Sequence, residues 1–312
     1  MSAAACLLPP IDELQPGIVV IACVLAGLSL GTLGVLRLAR PVGTGSLRHQ
    51  VTSWWWLWPP VFLAWALRAP GVLVLVAMLS LLAVGDLARH ASRPATPLAE
   101  PGLKLALVLQ AALLWLGRPG ACVATMAALA AVMLAGWRAA PADARWRRDA
   151  LLLALFGAQA AGLGTLAVLV TPGLPRAADW FLYLCVVTAH NDIAQYVAGT
   201  ALGRHRMSQR ISPNKTWQGF AGGLAASVLF SLAAGSLLTL AAPAWLAAMG
   251  LVLSTAGLAG DLLFSAGKRA LGLKDYSALI PGHGGILDRV DSLVLTAPAL
   301  LLALHLVPPQ AP

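Results

Sequence analysis

Charge is what this sequence has least of. Only 11% of its 312 residues are Asp, Glu, Lys or Arg, against 59% hydrophobic, and the mean hydropathy is +0.80. A soluble globular chain carries about 25% charged residues, so that class is excluded. Disorder needs the opposite composition, poor in apolar residues and rich in net charge. Cysteine is scarce too. Cys6, Cys23, Cys122 and Cys185 show no pair spacing, which excludes a disulfide-stapled secreted fold and leaves them as small buried hydrophobes. The six His and four Cys also lack zinc-ligand spacing. No basic n-region precedes the first apolar stretch, so no cleavable signal is expected, and no internal repeat stands out. What remains is an all-α polytopic membrane protein.

Long apolar runs are what the sequence does have. At roughly 20 residues per span, ten candidates run about 18–39, 51–67, 71–88, 103–117, 121–137, 149–170, 180–202, 219–240, 244–266 and 291–307. The pairs within 51–88 and 103–137 turn so tightly that each reads as a hairpin or a re-entrant element, giving 8–10 transmembrane helices. Basic residues test the assignment independently. With the N-terminus outside, the inner segments hold eighteen of the 21 Lys and Arg, leaving Arg68, Arg118 and Arg176 outside. The net charge of +9 therefore orients helices, and no nucleic-acid partner is expected. Trp54, Trp55, Trp56 and Trp58 read as an interfacial belt.

The 12 acids are unevenly placed: Asp192, Asp261, Asp275, Asp288 and Asp291 fall within about a hundred residues. An ionisable residue inside a membrane helix is costly and points to function, although an Asp can also pair with an Arg simply to pin two helices. Asp261 follows Trp245 by sixteen residues, about 24 Å of helix at 1.5 Å per residue, near the cytosolic edge of the core. Ser265 and Lys268 continue its stripe at +4 and +7. Asp288 and Asp291 share a face if Asp288 begins the last helix. Hard oxygens on two facing helices suit a divalent cation, and Mg²⁺ typically takes one or two carboxylates plus substrate phosphates.

Between those helices run Lys274-Asp275 and Pro281-Gly-His-Gly-Gly285, where glycines let backbone N–H groups cradle an anion. His283 offers a general acid/base, a phosphate donor or a merely hydrogen-bonded loop histidine. Upstream lie Asn191-Asp192 and the run Arg210-Ile-Ser-Pro-Asn-Lys-Thr-Trp-Gln218. Ser212-Pro213 reads as an N-cap followed by Pro at the first helical position, putting Lys215 in a first turn that favours an anion. Together these residues describe a cytosol-facing, metal-dependent phosphate site at the inner leaflet.

These segments resemble the phosphatidate cytidylyltransferase (CDP-diacylglycerol synthase) family. The signature is Ser265-Ala-Gly-Lys-Arg, Lys274-Asp275 and Pro281-Gly-His-Gly-Gly-Ile-Leu-Asp-Arg-Val-Asp291, with Asn191-Asp192 and Ile211–Phe220 upstream. The likeness covers about residues 180–300. Gly267, Gln218 and Gln195 depart from the family pattern, as in a divergent subgroup. The resemblance implies that CTP and phosphatidate condense to CDP-diacylglycerol and pyrophosphate in phospholipid biosynthesis, at the cytosolic face of the inner membrane. It implies a metal site of Asp261, Asp288 and Asp291 holding Mg²⁺ and K⁺. Lys215, Lys268, Arg269, Lys274 and Arg289 would neutralise the anionic substrates. Asn191, Asp192, Ser212, Ser265, Asp275, Gly284 and Gly285 would shape the substrate site, and His283 would assist. A homodimer is implied as well; the crowding of polar residues toward the C-terminus separately divides the chain into a transmembrane scaffold, residues 1–175, and a catalytic region, 176–312. Two other readings stay open: a CTP-dependent lipid kinase and an ion-coupled transporter.

Overall fold

The computed structural model describes residues 11–38, 45–91, 99–141, 145–171, 174–277, 279 and 284–307. Most of them are helical. In chain order the elements are α1 (Ile11–Leu38), α2 (Gly45–Ala66), α3 (Arg68–Ala88), α4 (Ala99–Trp115), α5 (Pro119–Ala139), α6 (Arg145–Leu169) and α7 (Ala177–Leu202). Then come β1 (Arg206–Ser208), β2 (Ser212–Thr216), α8 (Trp217–Leu237), α9 (Pro243–Ala270), α10 (Leu287–Val290) and α11 (Leu293–Leu306).

Each expected span falls on one long helix, and both doubtful pairs are helical hairpins, α2 with α3 and α4 with α5. Among the described residues, six segments are long and apolar enough to cross a membrane: α3, α5, α6, α8, α9 and the run Leu287–Leu306. Helix α7 falls short although Trp180 to Val187 are all buried. His190, Asn191, Asp192 and Gln195 lower its hydropathy, so a helix with a polar interior falls outside the candidate spans.

Helix α6 is central, packing on α3, α4, α5 and α11 with nearly its whole length buried. Small residues make that packing close, as expected where lipid removes any hydrophobic gain from helix association. A Cβ at Gly162 would overlap the Val294 backbone on α11, and one at Gly157 would lie 2.8 Å from Ala130 N on α5.

Hydrogen bonds gather the basic connections on one face. Arg148 Nε donates to the His90 carbonyl (2.6 Å), His90 Nε2 to the Tyr276 carbonyl (2.6 Å), and Arg269 Nε to Ile211 O (3.3 Å). The opposite ends are joined by Trp65 Nε1 donating to Asp179 Oδ1 (3.0 Å), Arg176 to Thr239 O (2.9 Å) and Trp245 Nε1 to Val307 O (2.8 Å).

Several expectations are corrected. The Trp cluster is not one belt. Trp55 and Trp56 are exposed, but Trp58 is buried and stacks on Phe62, because steps of about 100° per residue cannot keep every ring on the lipid side. Cys122 and Cys185 are buried, whereas Cys23 is exposed on the apolar outer face of α1. Cys6, the Trp54 side chain and His283 lie outside the described residues. Among the described residues the fold is helical with one addition, the antiparallel hairpin β1–β2.

Candidate active site

Two polar layers meet where α7, α8, α9 and α10 converge. The deeper layer centres on Asn191, which is only 1% exposed. Its Oδ1 accepts from Ser227 Oγ of α8 (3.1 Å) and Ser254 Oγ of α9 (2.7 Å), and its Nδ2 donates to Asp192 Oδ1 (3.3 Å). A buried amide satisfied this fully ties three helices together and aims the next carboxylate. Asn191 thus sits beneath Asp192, its own groups taken by protein partners.

The hairpin supplies the layer above and overturns the helix expected at Ser212. Ser212 to Thr216 form β2, with Ser212 opposite Ser208 and Thr216 opposite Arg206. Pro213 lacks an N–H yet is tolerated in a two-stranded edge. The cap belongs to Thr216, whose Oγ1 accepts from Gly219 N (3.0 Å) and starts α8 four residues later. Lys215 therefore projects from a strand, its Nζ 2.5 Å from Asp261 Oδ2 and donating to Gln195 Oε1 at 3.1 Å. Burial works against its ammonium, but the carboxylates of Asp261 and Asp192 outweigh it and raise the Lys215 pKa above the ordinary value. Both departing glutamines act here. Gln195 is the lysine's second acceptor. Gln218 Oε1 accepts from the Arg204 and His205 N–H groups (both 3.1 Å), so a neutral amide closes the chain into the hairpin.

Helix α9 carries the stripe read from the sequence. Ser265 Oγ donates to Asp261 Oδ1 (3.1 Å), and Lys268 Nζ, 2.6 Å from Asp288 Oδ1, forms a buried ion pair one turn further on. Gly267, where the family has a larger residue, leaves room for Leu155 and the Tyr276 hydroxyl. Asp288 falls in α10, a short helix leading into α11, so the i, i+3 relation to Asp291 holds. The other Asp288 oxygen accepts from Tyr276 N (3.0 Å) and Gly285 N (2.9 Å). Gly284 has φ +81°, and any Cβ there would press on that carboxylate. Arg269 spans outward to Ile211 and Leu273 carbonyls, while Lys274 and Asp275 are exposed, Asp275 beside Gly284.

Asp291 is buried, with the charges of Asp261, Asp192, Arg289 and Lys268 acting on it. Asp192, Asp288, Arg289 and Asp291 form the polar end of a cavity of about 370 Å³. Its walls are apolar, from Leu57, Pro60 and Val61 on α2, Leu75 and Leu79 on α3, and Phe181 on α7. Arg289 Nε is buried there without a hydrogen-bond partner among the described residues.

The described residues bring no group of three His, Cys, Asp or Glu side chains together as a ready-made metal cage. Of the expected trio, Asp288 meets Lys268 and two backbone N–H groups and Asp261 meets Lys215 and Ser265, while the charge of Asp261 acts on the buried Asp291. Two neighbouring hard carboxylates fit Mg²⁺, which completes its shell with water and substrate phosphates.

One contributor escaped the sequence reading. Asp86, 1% exposed in the last turn of α3, accepts from Ser277 Oγ (2.6 Å), Ile286 N (2.6 Å) and Leu287 N (3.3 Å). The signal was legible: an acid inside an apolar run, the same criterion that singles out Asp192.

The model of the cytidylyltransferase family matches residues 48–307, most of the chain. The chain belongs to that family. Cytidylyltransferase relatives resemble it over shorter stretches. Phosphatidate cytidylyltransferase of Brucella suis biovar 1 is 45% identical over 121 residues, 39% of this chain and 45% of the relative. That of Mycobacterium tuberculosis (strain ATCC 25618 / H37Rv) is 35% identical over 143 residues, 46% and 43% of the two chains. An uncharacterized Escherichia coli (strain K12) protein, YnbB, is 42% identical over 133 residues, 43% of this chain and 45% of its own. These matches span less than half the length of the curated relatives.

Proposed function

We propose that this cytidylyltransferase transfers the cytidylyl group of CTP to phosphatidate, giving CDP-diacylglycerol and pyrophosphate. The carrying observation is the cavity: apolar walls for acyl chain run directly into a guanidinium and three carboxylates. A cavity of this size lies in the usual ligand-site range of about 300–1,000 Å³. A water-soluble acceptor would need no such wall.

A phosphate oxygen of phosphatidate attacks the α-phosphorus of CTP. The new P–O bond forms as the bond to the β-phosphate oxygen breaks, and pyrophosphate leaves. The lipid phosphate is already ionised, so no strong base or covalent nucleophile is assigned. Positioning and charge neutralisation carry such transfers. Arg289 receives the lipid phosphate at the cavity's polar end, and Lys215 offers its ammonium to the nucleotide phosphates. Mg²⁺ held by Asp261 and Asp291 would supply neutralisation of the triphosphate and leaving group. K⁺ and a homodimer belong to the same proposal, on the family resemblance. The basic face is read as cytosolic, in the cytoplasmic membrane, supported by the excess of Lys and Arg on that side.

The test is the purified protein with CTP, Mg²⁺ and either phosphatidate or diacylglycerol in mixed micelles, with both products identified. CDP-diacylglycerol with stoichiometric pyrophosphate is expected. Release of CDP with a phosphorylated lipid alcohol would instead establish a lipid kinase, and neither product would overturn the enzyme reading. Arg289→Ala is expected to raise KM for phosphatidate about tenfold, the loss of one charged contact of about 1.4 kcal/mol, with KM for CTP little changed. Initial rates against each substrate separate the two effects.

A further inference from the structure

We propose that Asp86, on a helix remote in sequence from the signature residues, is a positioning residue that holds Ser277, Ile286 and Leu287 and so sets Asp288 and Arg289 for catalysis. This rests on the function proposed above. The carboxylate is buried, and both oxygens are engaged by the loop: Oδ1 by Ser277 Oγ (2.6 Å), Oδ2 by Ile286 N (2.6 Å) and Leu287 N (3.3 Å). Those contacts bracket the segment between Tyr276 and Asp288, whose ends also meet at the Asp288 carboxylate. Asp86 therefore grips the segment from α3, and Asp288 grips it from within.

Gly285 shows how close the fit is. A Cβ there would collide with the Asp86 carboxylate and lie 2.9 Å from Ser277 Oγ. The glycine thus serves an approach to Asp86 as well as any approach to phosphate. A second tie comes from the same helix end: His90 Nε2 donates to Tyr276 O (2.6 Å), and Arg148 Nε holds the His90 carbonyl (2.6 Å). Ile286, whose N–H Asp86 holds, and Asp288, Arg289 and Asp291 just beyond it all line the cavity. Freedom at this segment becomes displacement of Arg289 and Asp291.

Replacing a group that orients a ligating or binding residue typically costs 10- to 100-fold in activity. Asp86→Ala is expected to lower kcat by about that factor, with KM for CTP within about threefold. Asp86→Asn can still accept from Ile286 and Leu287 and donate to Ser277 Oγ, so it should recover most of the loss. Ser277→Ala, removing one bond from the loop side, should lie between. A second measurement does not depend on turnover: hydrogen exchange at the Ile286 and Leu287 amides should accelerate in Asp86→Ala while exchange in α6 and α7 stays unchanged. If the wild type makes no CDP-lipid, the functional reading fails, and faster exchange still establishes Asp86 as the anchor. If Asp86→Ala does not fold, Asp86→Asn against Ser277→Ala decides. Unchanged loop exchange with unchanged kcat would overturn the proposal.

Discussion

Asp261→Asn is expected to lower CDP-diacylglycerol formation by about a thousandfold, the upper end of what loss of one preorganised charge-stabilising group costs. The side chain is a near-isostere, and the native carboxylate is 21% exposed, so folding should survive. What changes is charge. The carboxylate holds Lys215 Nζ at 2.5 Å and accepts from Ser265 Oγ at 3.1 Å, joining the hairpin to α9. An amide keeps an acceptor for these donors but removes the anion that balances Lys215. It also removes half of the carboxylate pair with Asp291 proposed to hold Mg²⁺. Two consequences should appear together: rate falls, and the Mg²⁺ concentration for half-maximal rate rises. Rates across a Mg²⁺ series, alongside thermal unfolding in detergent, check both. Wild-type turnover in this variant would remove Asp261 from the reaction.

The helices were legible because ten apolar runs, separated by turn residues and basic clusters, each need only local sequence to become helix. The site was legible where its residues lie close in sequence. Asp261, Ser265 and Lys268 fall on one stripe because helical periodicity alone puts them there. Asp288 and Asp291 keep their spacing for the same reason. The Ser212 expectation failed because capping chemistry is degenerate: Ser212 and Thr216 offer the same hydroxyl, and only pairing with β1 decides which starts the helix. Asp86 stood out as an acid inside an apolar run, but its partners were hidden by distance, standing 191 to 201 residues away. No local pattern encodes such a contact. Gln195 and Gln218 were visible as departures from the family, but their acceptor roles toward Lys215 and the hairpin backbone need coordinates to see.

The Lys268–Asp288 pair should be the most destabilising single break in the site, and its repair should expose why. Asp288 is 5% exposed and Lys268 8%, with Nζ and Oδ1 2.6 Å apart. Asp288→Leu leaves a buried ammonium without its anion and two backbone N–H groups, of Tyr276 and Gly285, without their acceptor. Breaking a buried pair from one side costs about 3–5 kcal/mol, because the surviving charge stays desolvated. Lys268→Met leaves the Asp288 anion buried, but both N–H groups still compensate it, so its cost should be smaller. In the double variant no charge is stranded, and only the two N–H groups remain unpaired, at about 1–3 kcal/mol each at most. The double variant is therefore expected to be more stable than Asp288→Leu alone, a non-additivity that thermal unfolding of all four proteins measures as a double-mutant cycle. Activity should be lost in both proteins lacking Asp288, since the loop that presents Arg289 loses its internal anchor. Recovery of stability without recovery of turnover would separate the pair's two roles, balancing charge inside the helices and holding the glycine loop. Additive losses would mean that Lys268 and Asp288 act independently.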